Sequence, residues 1–367
     1  MNRTHALRIG LLTGGGDCPG LNAVIRAVTR TAIAEGEATV IGIEDGFEGI
    51  YTGRTRRLRY GEVAGLLGEG GTVLGTSNKG DPWHFPVVLP DGNIRIEDVS
   101  HRVIERLHES GIDMLVVIGG DGSMKIAQKL AMQGVAIVGV PKTIDNDLPA
   151  TDLTFGFDTA VGVISEAIDR LRTTASAHHR VMVVEVMGRT AGWLALAGGL
   201  SGGADAILLP ETGFDWDPLL RHLRARATRG RRYSIVCVAE GTALPEGMEV
   251  VQRLDIKRTD ARQFGGIGHR IAQEVEQRSG LEARAVVLGH LQRGGSPSAA
   301  DRLLATRFGV QAARAALAGR YGVMVSLKGQ DVVEVPLAQA AQGVRLVPAD
   351  HEWLHAARAL GIHLGRF

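Results

Sequence analysis

Leu115-Val116-Val117-Ile118-Gly119-Gly120-Asp121-Gly122-Ser123 is the stretch that decides the fold. Four branched apolar residues in a row suit a strand buried on both faces. Two glycines, an aspartate and a serine close that run, and residues 124–130 continue with helical character. A second buried run, residues 135–140, follows and ends at Pro141. Strand, glycine turn, helix and strand in succession argue for a parallel sheet covered by helices on both faces, an α/β fold.

The same alternation extends outward in both directions. Upstream, Arg8–Thr13 reads as a strand running into Gly14-Gly15-Gly16-Asp17. Residues 21–34 carry Leu21, Val24, Ile25, Val28 and Ala32 at helical spacing. Thr39–Ile43 is a short β-branched run, and residues 103–107 read as an amphipathic helix. Downstream, Val161, Ile164, Ile168 and Leu171 mark one helix face, and Val181–Val186 is a strand. Residues 234–238 and 285–288 are further strands. Residues 81–94 read as a surface loop, and residues 243–266 as loop with a short helix. Nearly every polar cluster lies just after a strand, where open α/β sheets bind their ligands.

A chain of 367 residues suggests two domains. The formal charge is +1 with no long basic block, which argues against a nucleic-acid partner. Two cysteines, Cys18 and Cys237, point to a reducing compartment, and the expected location is the cytoplasm. The first seven residues lack the apolar core of a signal peptide, and no apolar run is long enough for a bilayer. The 50 glycines are not periodic; they gather after apolar runs, as turns where backbone passes close to something.

Several of these turns carry chemistry. Gly119 to Ser123 exposes backbone N–H groups at a positive helix end, which suits a phosphate, and Asp121 adds an oxygen ligand for magnesium. The plainer reading is a tight turn with an N-cap, and the segment alone divides evenly between the two. It is neither a Walker loop nor a dinucleotide fingerprint. Gly14 to Gly20 repeats the bare-backbone pattern, with Cys18 as a small packed residue. In Pro141-Lys142-Thr143-Ile144-Asp145-Asn146-Asp147, alternate side chains place Thr143, Asp145 and Asp147 on one face. That suits a base and a carboxylate near metal, and it equally suits an Asx-rich turn. Arg180 precedes a buried strand and Arg189 follows it, each placed to fork onto a phosphate or to end in solvent. His290, Gln292 and Arg293 sit on a glycine turn that could hold a polyhydroxy phosphate. Adjacent His178 and His179 lack zinc-ligand spacing.

Together these segments resemble the 6-phosphofructokinase family over residues 8–318. GGGDCPGLNAVIR, GGTVLGTS, GGDGS, PKTIDND, EVMGR and LGHLQRGGSP occur in the family's order. The resemblance implies two Rossmann-like three-layer domains: residues 1–156 with 291–325 for the phosphoryl donor, 157–290 for the sugar phosphate, and 326–367 as an extension packing on the body. It implies transfer of phosphoryl from MgATP to the 1-hydroxyl of fructose 6-phosphate. Gly16, Gly120, Asp121, Gly122 and Ser123 match donor contacts, with Asp121 for Mg2+. Asp145 matches the catalytic base, supported by Thr143, Asp147 and Arg189. Thr143, Ile144, Asp145, Arg180, Met187, Gly188, Arg189, Glu240, Arg284, His290, Leu291, Gln292 and Arg293 match substrate contacts. Arg180 and Arg284 match arginines lent by a neighbouring subunit, implying a homodimer or homotetramer.

The resemblance also bears on the donor. Pyrophosphate users of the family carry aspartate where this chain has Gly122 and lysine where it has Lys142; Gly122 leaves room for the ATP α-phosphate and favours ATP, with pyrophosphate as the alternative. Asn78-Lys79 stands where family members often carry arginine, so Lys79 is the candidate donor-side charge. Arg26, Arg30 and Arg54 match effector-site arginines, and equally suit surface charges of an unregulated enzyme. An NAD or lipid kinase would account for GGDGS but not for PKTIDND, and a non-catalytic sensor would not need both Asp121 and Asp145.

Overall fold

The computed structural model describes residues 6–245, 247, 250–254 and 262–366. The chain opens with strand β1 (Arg8–Thr13), helix α1 (Leu21–Gly36), β2 (Thr39–Ile43), α2 (Phe47–Thr52) and β3 (Thr55–Leu58). A small hairpin, β4 (Phe85–Val88) and β5 (Ile94–Glu97), precedes α3 (Ser100–Glu109), β6 (Met114–Gly119), α4 (Asp121–Met132) and β7 (Ile137–Pro141). The chain then continues through α5 (Phe157–His178), β8 (Val181–Val186), α6 (Trp193–Gly202), β9 (Ala206–Leu208), α7 (Trp216–Thr228) and β10 (Ser234–Ala239). A ribbon of β11 (Val251–Leu254) and β12 (Arg262–Phe264) leads to α8 (Ile267–Ser279) and β13 (Ala283–Val287). Last come α9 (Ala299–Leu317), β14 (Val323–Lys328), β15 (Asp331–Pro336), α10 (Leu337–Ala340) and α11 (Glu352–Ala359).

Seven strands form one sheet in the order β15-β14-β7-β6-β1-β2-β3, and four form another in the order β13-β8-β10-β9. The second sheet is wholly parallel. In the first, only the edge strands β3 and β15 run antiparallel. Burial explains the parallel cores. In β6, Leu115 and Val117 belong to one apolar layer while Val116 and Ile118 belong to the other. In β8, Val181 and Val183 face one layer, and Met182, Val184 and Val186 the opposite one. Opening a cavity in a layer, as Leu115→Ala would, costs about 2–5 kcal/mol. The layer on one side of the large sheet continues through Phe155, Ile164 and Ile207 into the smaller sheet.

Helices α1 and α9 pack closely because glycine removes a side chain at their contact. A Cβ on Gly309 would lie 2.6 Å from Ala27 Cβ and 2.9 Å from the Val24 carbonyl oxygen. The first turn of α9 is tied to the first turn of α5, because the Asp301 carboxylate accepts from the Thr159 backbone N–H at 2.8 Å.

Two readings of the sequence need correction. Residues 81–94 are not a plain loop: Phe85 to Val88 pairs antiparallel with Ile94 to Glu97. Pro86 hides the strand in the sequence, since proline suits only edges of this kind. Within residues 243–266, the described segments form the β11–β12 ribbon. The short helix expected there falls partly on 246, 248–249 and 255–261, outside the described residues. Beyond α9, β14 joins the large sheet beside β7 and spans residues 323–328, and the chain ends against the small sheet, with the His363 carbonyl accepting from the Ile207 N–H at 2.8 Å. None of the described helices is long and apolar enough to cross a membrane.

Candidate active site

At the carboxyl ends of β1, β6 and β7, three turns stack without room for side chains. A Cβ on Gly14 would lie 2.6 Å from Ser123 Oγ, and one on Gly119 would collide with Ser123 Cβ. The Gly14 N–H donates to the Ile118 carbonyl and the Lys142 N–H to the Gly119 carbonyl, each at 2.9 Å. Gly15 has φ +77°, a backbone open to glycine. Gly120 is the N-cap of α4, and Asp121, Gly122 and Ser123 form its first turn. The amide end of α4 therefore opens beside the Gly14–Gly16 loop, and the Asp121 carboxylate pairs with Lys125 at 3.0 Å. Lys142 is buried, which pulls its pKa down, and its Nζ donates to the Gly16 carbonyl.

The turn after β7 is held from within. Thr143 Oγ1 accepts the Asp145 backbone N–H at 3.0 Å, and Thr154 Oγ1 donates to the Thr143 carbonyl at 2.7 Å. Ile144 is fully buried beneath it, which leaves Asp145 and Asp147 half-buried on the open side. Burial pushes the Asp147 carboxyl up to about 7, and the charges of Asp145 and Asp121 add to the rise. Asp121, Asp145 and Asp147 therefore share one electrostatic neighbourhood.

The ends of β8, β10 and β13 face this turn. Gly188 has φ +129°, and a Cβ on Gly241 would collide with the Arg189 carbonyl, so the two loops fit only as glycine. The Glu240 N–H donates to the Val186 carbonyl at 2.8 Å. Burial raises the Glu240 carboxyl to about 7; Asp145 adds to this, Arg189 opposes it, and Glu185 and Arg293 also act on it. A carboxylate from the small sheet thus feels the turn of the large one. Arg293 Nη1 donates to the Asp17 carbonyl at 3.0 Å, beside Gly16. Gln292, expected at substrate, is fully buried and committed to backbone: its Oε1 accepts the Met187 N–H at 3.3 Å and its Nε2 donates to the Gly289 carbonyl at 3.2 Å. His290 is exposed beside it, and Leu291 is 68% exposed.

Two named residues lie elsewhere. Arg180 and Arg284 sit at the start of β8 and β13, at the opposite end of the small sheet from Met187 and Glu240. They share Glu282, at 2.7 and 2.8 Å, and Arg284 also pairs with Glu276 at 2.7 Å. Lys79 is exposed, and its backbone N–H donates to Ser77 Oγ at 3.1 Å. The effector-like arginines bond within the chain: Arg54 to Asp45 at 3.1 Å and Glu48 at 3.2 Å, Arg30 over the Tyr60 ring at 4.2 Å, and Arg26 to the Ala64 carbonyl at 3.4 Å. Sequence reasoning misses Glu185, a buried carboxylate that accepts the Gly266 and Gly268 N–H groups at 2.9 and 2.8 Å and so anchors α8. Its signal is a lone acid inside an apolar strand.

Glycine turns on one sheet, facing carboxylates and an arginine on the other, are the layout of a phosphotransferase, whose work is positioning and charge neutralisation. The chain belongs to the phosphofructokinase family, matched over residues 8–316. It is 48% identical over 344 residues to the ATP-dependent 6-phosphofructokinase 2 of Streptomyces coelicolor, covering 94% of this chain and 97% of that one. It is 49% identical over 359 residues to the ATP-dependent 6-phosphofructokinase of Chloroflexus aggregans, covering 98% of each. The crystal structure of Pichia pastoris phosphofructokinase in the T-state superposes with TM-score 0.79 at 32% identity, covering 93% of this chain and 38% of that much longer one. The pyrophosphate-dependent phosphofructokinase of Nitrosospira multiformis, at 22% identity, shares the fold, with TM-score 0.80 over 99% of this chain and 93% of that one.

Proposed function

We propose that this chain is a 6-phosphofructokinase that moves the terminal phosphoryl group of ATP onto the 1-hydroxyl of fructose 6-phosphate, giving fructose 1,6-bisphosphate in glycolysis. One observation carries the reading. The turn bearing Asp145 is bonded to the donor-side glycine loops, through the Lys142 N–H to the Gly119 carbonyl and Lys142 Nζ to the Gly16 carbonyl, and its charge reaches Glu240 on the acceptor side, so Asp145 would stand where the two substrates meet. In this reading residues 1–156 with 291–325 bind the donor, residues 157–290 bind the sugar phosphate, and residues 326–367 complete the large sheet through β14 and β15 and brace the body.

Asp145 accepts the proton of the sugar 1-hydroxyl as its oxygen attacks the terminal phosphorus; the bond from that phosphorus to the bridging oxygen breaks and ADP leaves. Thr143 fixes the angle of Asp145 through the backbone bond at 3.0 Å. Gly16 and the first turn of α4 offer N–H groups to the donor phosphates, with Lys142 and Lys79 as the nearby cations. Arg189 neutralises charge between the substrates, and Met187, Gly188, Glu240, His290, Leu291 and Arg293 shape the sugar side, with Gln292 holding Met187 in place. Burial raises Asp147 to about 7 and the charges of Asp145 and Asp121 add to the rise, so a cation bound nearby would offset that repulsion. Asp121 would hold Mg2+, which supplies neutralisation of the donor phosphates.

Gly122 and the ATP-dependent relatives support ATP as donor; Lys142 is the observation behind pyrophosphate as the second reading. Because Arg180 and Arg284 face away from their own chain's site, they would serve a neighbour's, in a homodimer or homotetramer. Buried, unpaired Cys18 and Cys237 suit the cytoplasm. A panel of ATP and pyrophosphate against fructose 6-phosphate, NAD and diacylglycerol tests the assignment. Turnover with ATP and fructose 6-phosphate is the expected result, and turnover on another acceptor alone would overturn it.

A further inference from the structure

We propose that Arg345 is a positioning residue for phosphoryl transfer, holding the catalytic turn against the segment that follows Arg189. This rests on the phosphotransferase reading of the Asp145 site. The Arg345 backbone N–H donates to the Asp147 carbonyl at 2.7 Å. Its guanidinium Nη2 and Nε donate to the Asn146 carbonyl at 2.7 and 3.3 Å. One residue therefore grips the two carbonyls that immediately follow Asp145.

The grip falls where the chain reverses. Asn146 has φ +51°, in the left-handed region that asparagine tolerates better than most L residues. Here Asn146 Oδ1 accepts the Thr154 N–H at 3.1 Å, and Arg345 fixes the carbonyl.

The other side of Arg345 reaches the small-sheet loops. Its carbonyl accepts the Trp193 Nε1–H at 2.9 Å, and its guanidinium lies over the Trp193 ring at 4.7 Å. Two positions on, the Val347 N–H donates to Glu211 Oε1 at 2.9 Å, the same oxygen that takes the Gly192 N–H at 2.9 Å. Gly192 and Trp193 open α6 directly downstream of Arg189. Residues 345–347 are thus a strap joining the turn that carries Asp145 to the loop that carries Arg189. A guanidinium suits the task because it donates to a carbonyl in its plane while its flat face lies on an indole; an ammonium has no such face and fewer donors in fixed directions.

The test uses the full chain carrying Arg345→Met, Arg345→Lys or Trp193→Phe, with ATP and fructose 6-phosphate. Arg345→Met should lower kcat about 10- to 100-fold while both KM values stay within about threefold, because small misplacements of a reacting group act mainly on the chemical step. Arg345→Lys should recover part of the loss, and Trp193→Phe should show a smaller one. Hydrogen exchange at residues 143–147 should quicken in Arg345→Met while α7 stays protected. Near-normal kcat together with unchanged exchange in the turn overturns the proposal, and so does a uniform loss of protection with no kcat effect beyond it. If Arg345→Met does not fold, the lysine and Trp193 variants carry the same comparison. If the wild-type chain shows no turnover, the functional reading falls, and exchange in the turn alone decides whether the strap holds it.

Discussion

Asp145→Asn keeps the shape of the catalytic turn and deletes its proton acceptor. Thr143 Oγ1 would still receive the backbone N–H of residue 145, now at 3.0 Å, so the loop has no reason to rearrange. An amide cannot take the hydroxyl proton, and loss of a general base lowers kcat about 10²- to 10⁴-fold, or roughly 2.7–5.4 kcal/mol. KM for fructose 6-phosphate should change by less than about threefold, since the deleted interaction belongs to the transition state. A second effect follows from charge. After burial, Asp145 is the next cause raising Asp147 and Glu240 to about 7. Removing it lets both ionise at lower pH. The assay is formation of fructose 1,6-bisphosphate in a coupled system, with infrared difference spectra of protonated carboxyls at neutral pH. Turnover within fivefold of wild type, or a loss carried wholly by KM, would refute the base assignment. An unchanged carboxyl signal would refute the electrostatic reasoning.

Asp147 binds its proton more tightly folded, at about 7, than at its ordinary 3.8, so its contribution to stability is fully present below about pH 4 and lost as pH rises through 7. Asp147→Asn should therefore gain Tm over wild type increasingly from pH 5 to pH 8 in chelator; a constant difference across that range would count against the buried charge. Gly122→Asp should cut kcat/KM for ATP at least about tenfold, by filling the first turn of α4 with a like charge, and an unchanged ATP rate would remove Gly122 from donor selection. Cys18 and Cys237 are both buried, which raises each thiol to about 12. A thiol reagent at pH 8 should therefore modify neither in the native protein and both after unfolding; rapid labelling of the native chain would contradict that burial.

The parallel cores are legible in the sequence because β6 and β8 are apolar on both faces, and continuous apolar runs bounded by glycine leave few alternatives. The edges are harder. Thr55-Arg56-Arg57-Leu58 and Asp331 to Pro336 carry charges like solvent loops and become strands only because a neighbour supplies the ladder. The site divides along the same line. Gly120, Asp121 and Asp145 follow strands in the chain, so local order points to them. Arg345 reaches Asn146 across 199 positions, and nothing in its immediate neighbours marks it. Gln292 shows the opposite limit: its motif places it at the site, but only coordinates reveal that its amide is turned inward to backbone.

The glycine contact between α1 and α9 makes those helices a single lever. The Gly14–Gly16 loop runs into the start of α1, and the loop bearing Arg293 runs into the start of α9, with Arg293 bonded to the Asp17 carbonyl between them. A bulkier residue at 309 would wedge the pair apart and spread that motion to both loops at once. The spacing of the Gly14–Gly16 loop and the Arg293 loop is therefore tied to a helix crossing remote from both.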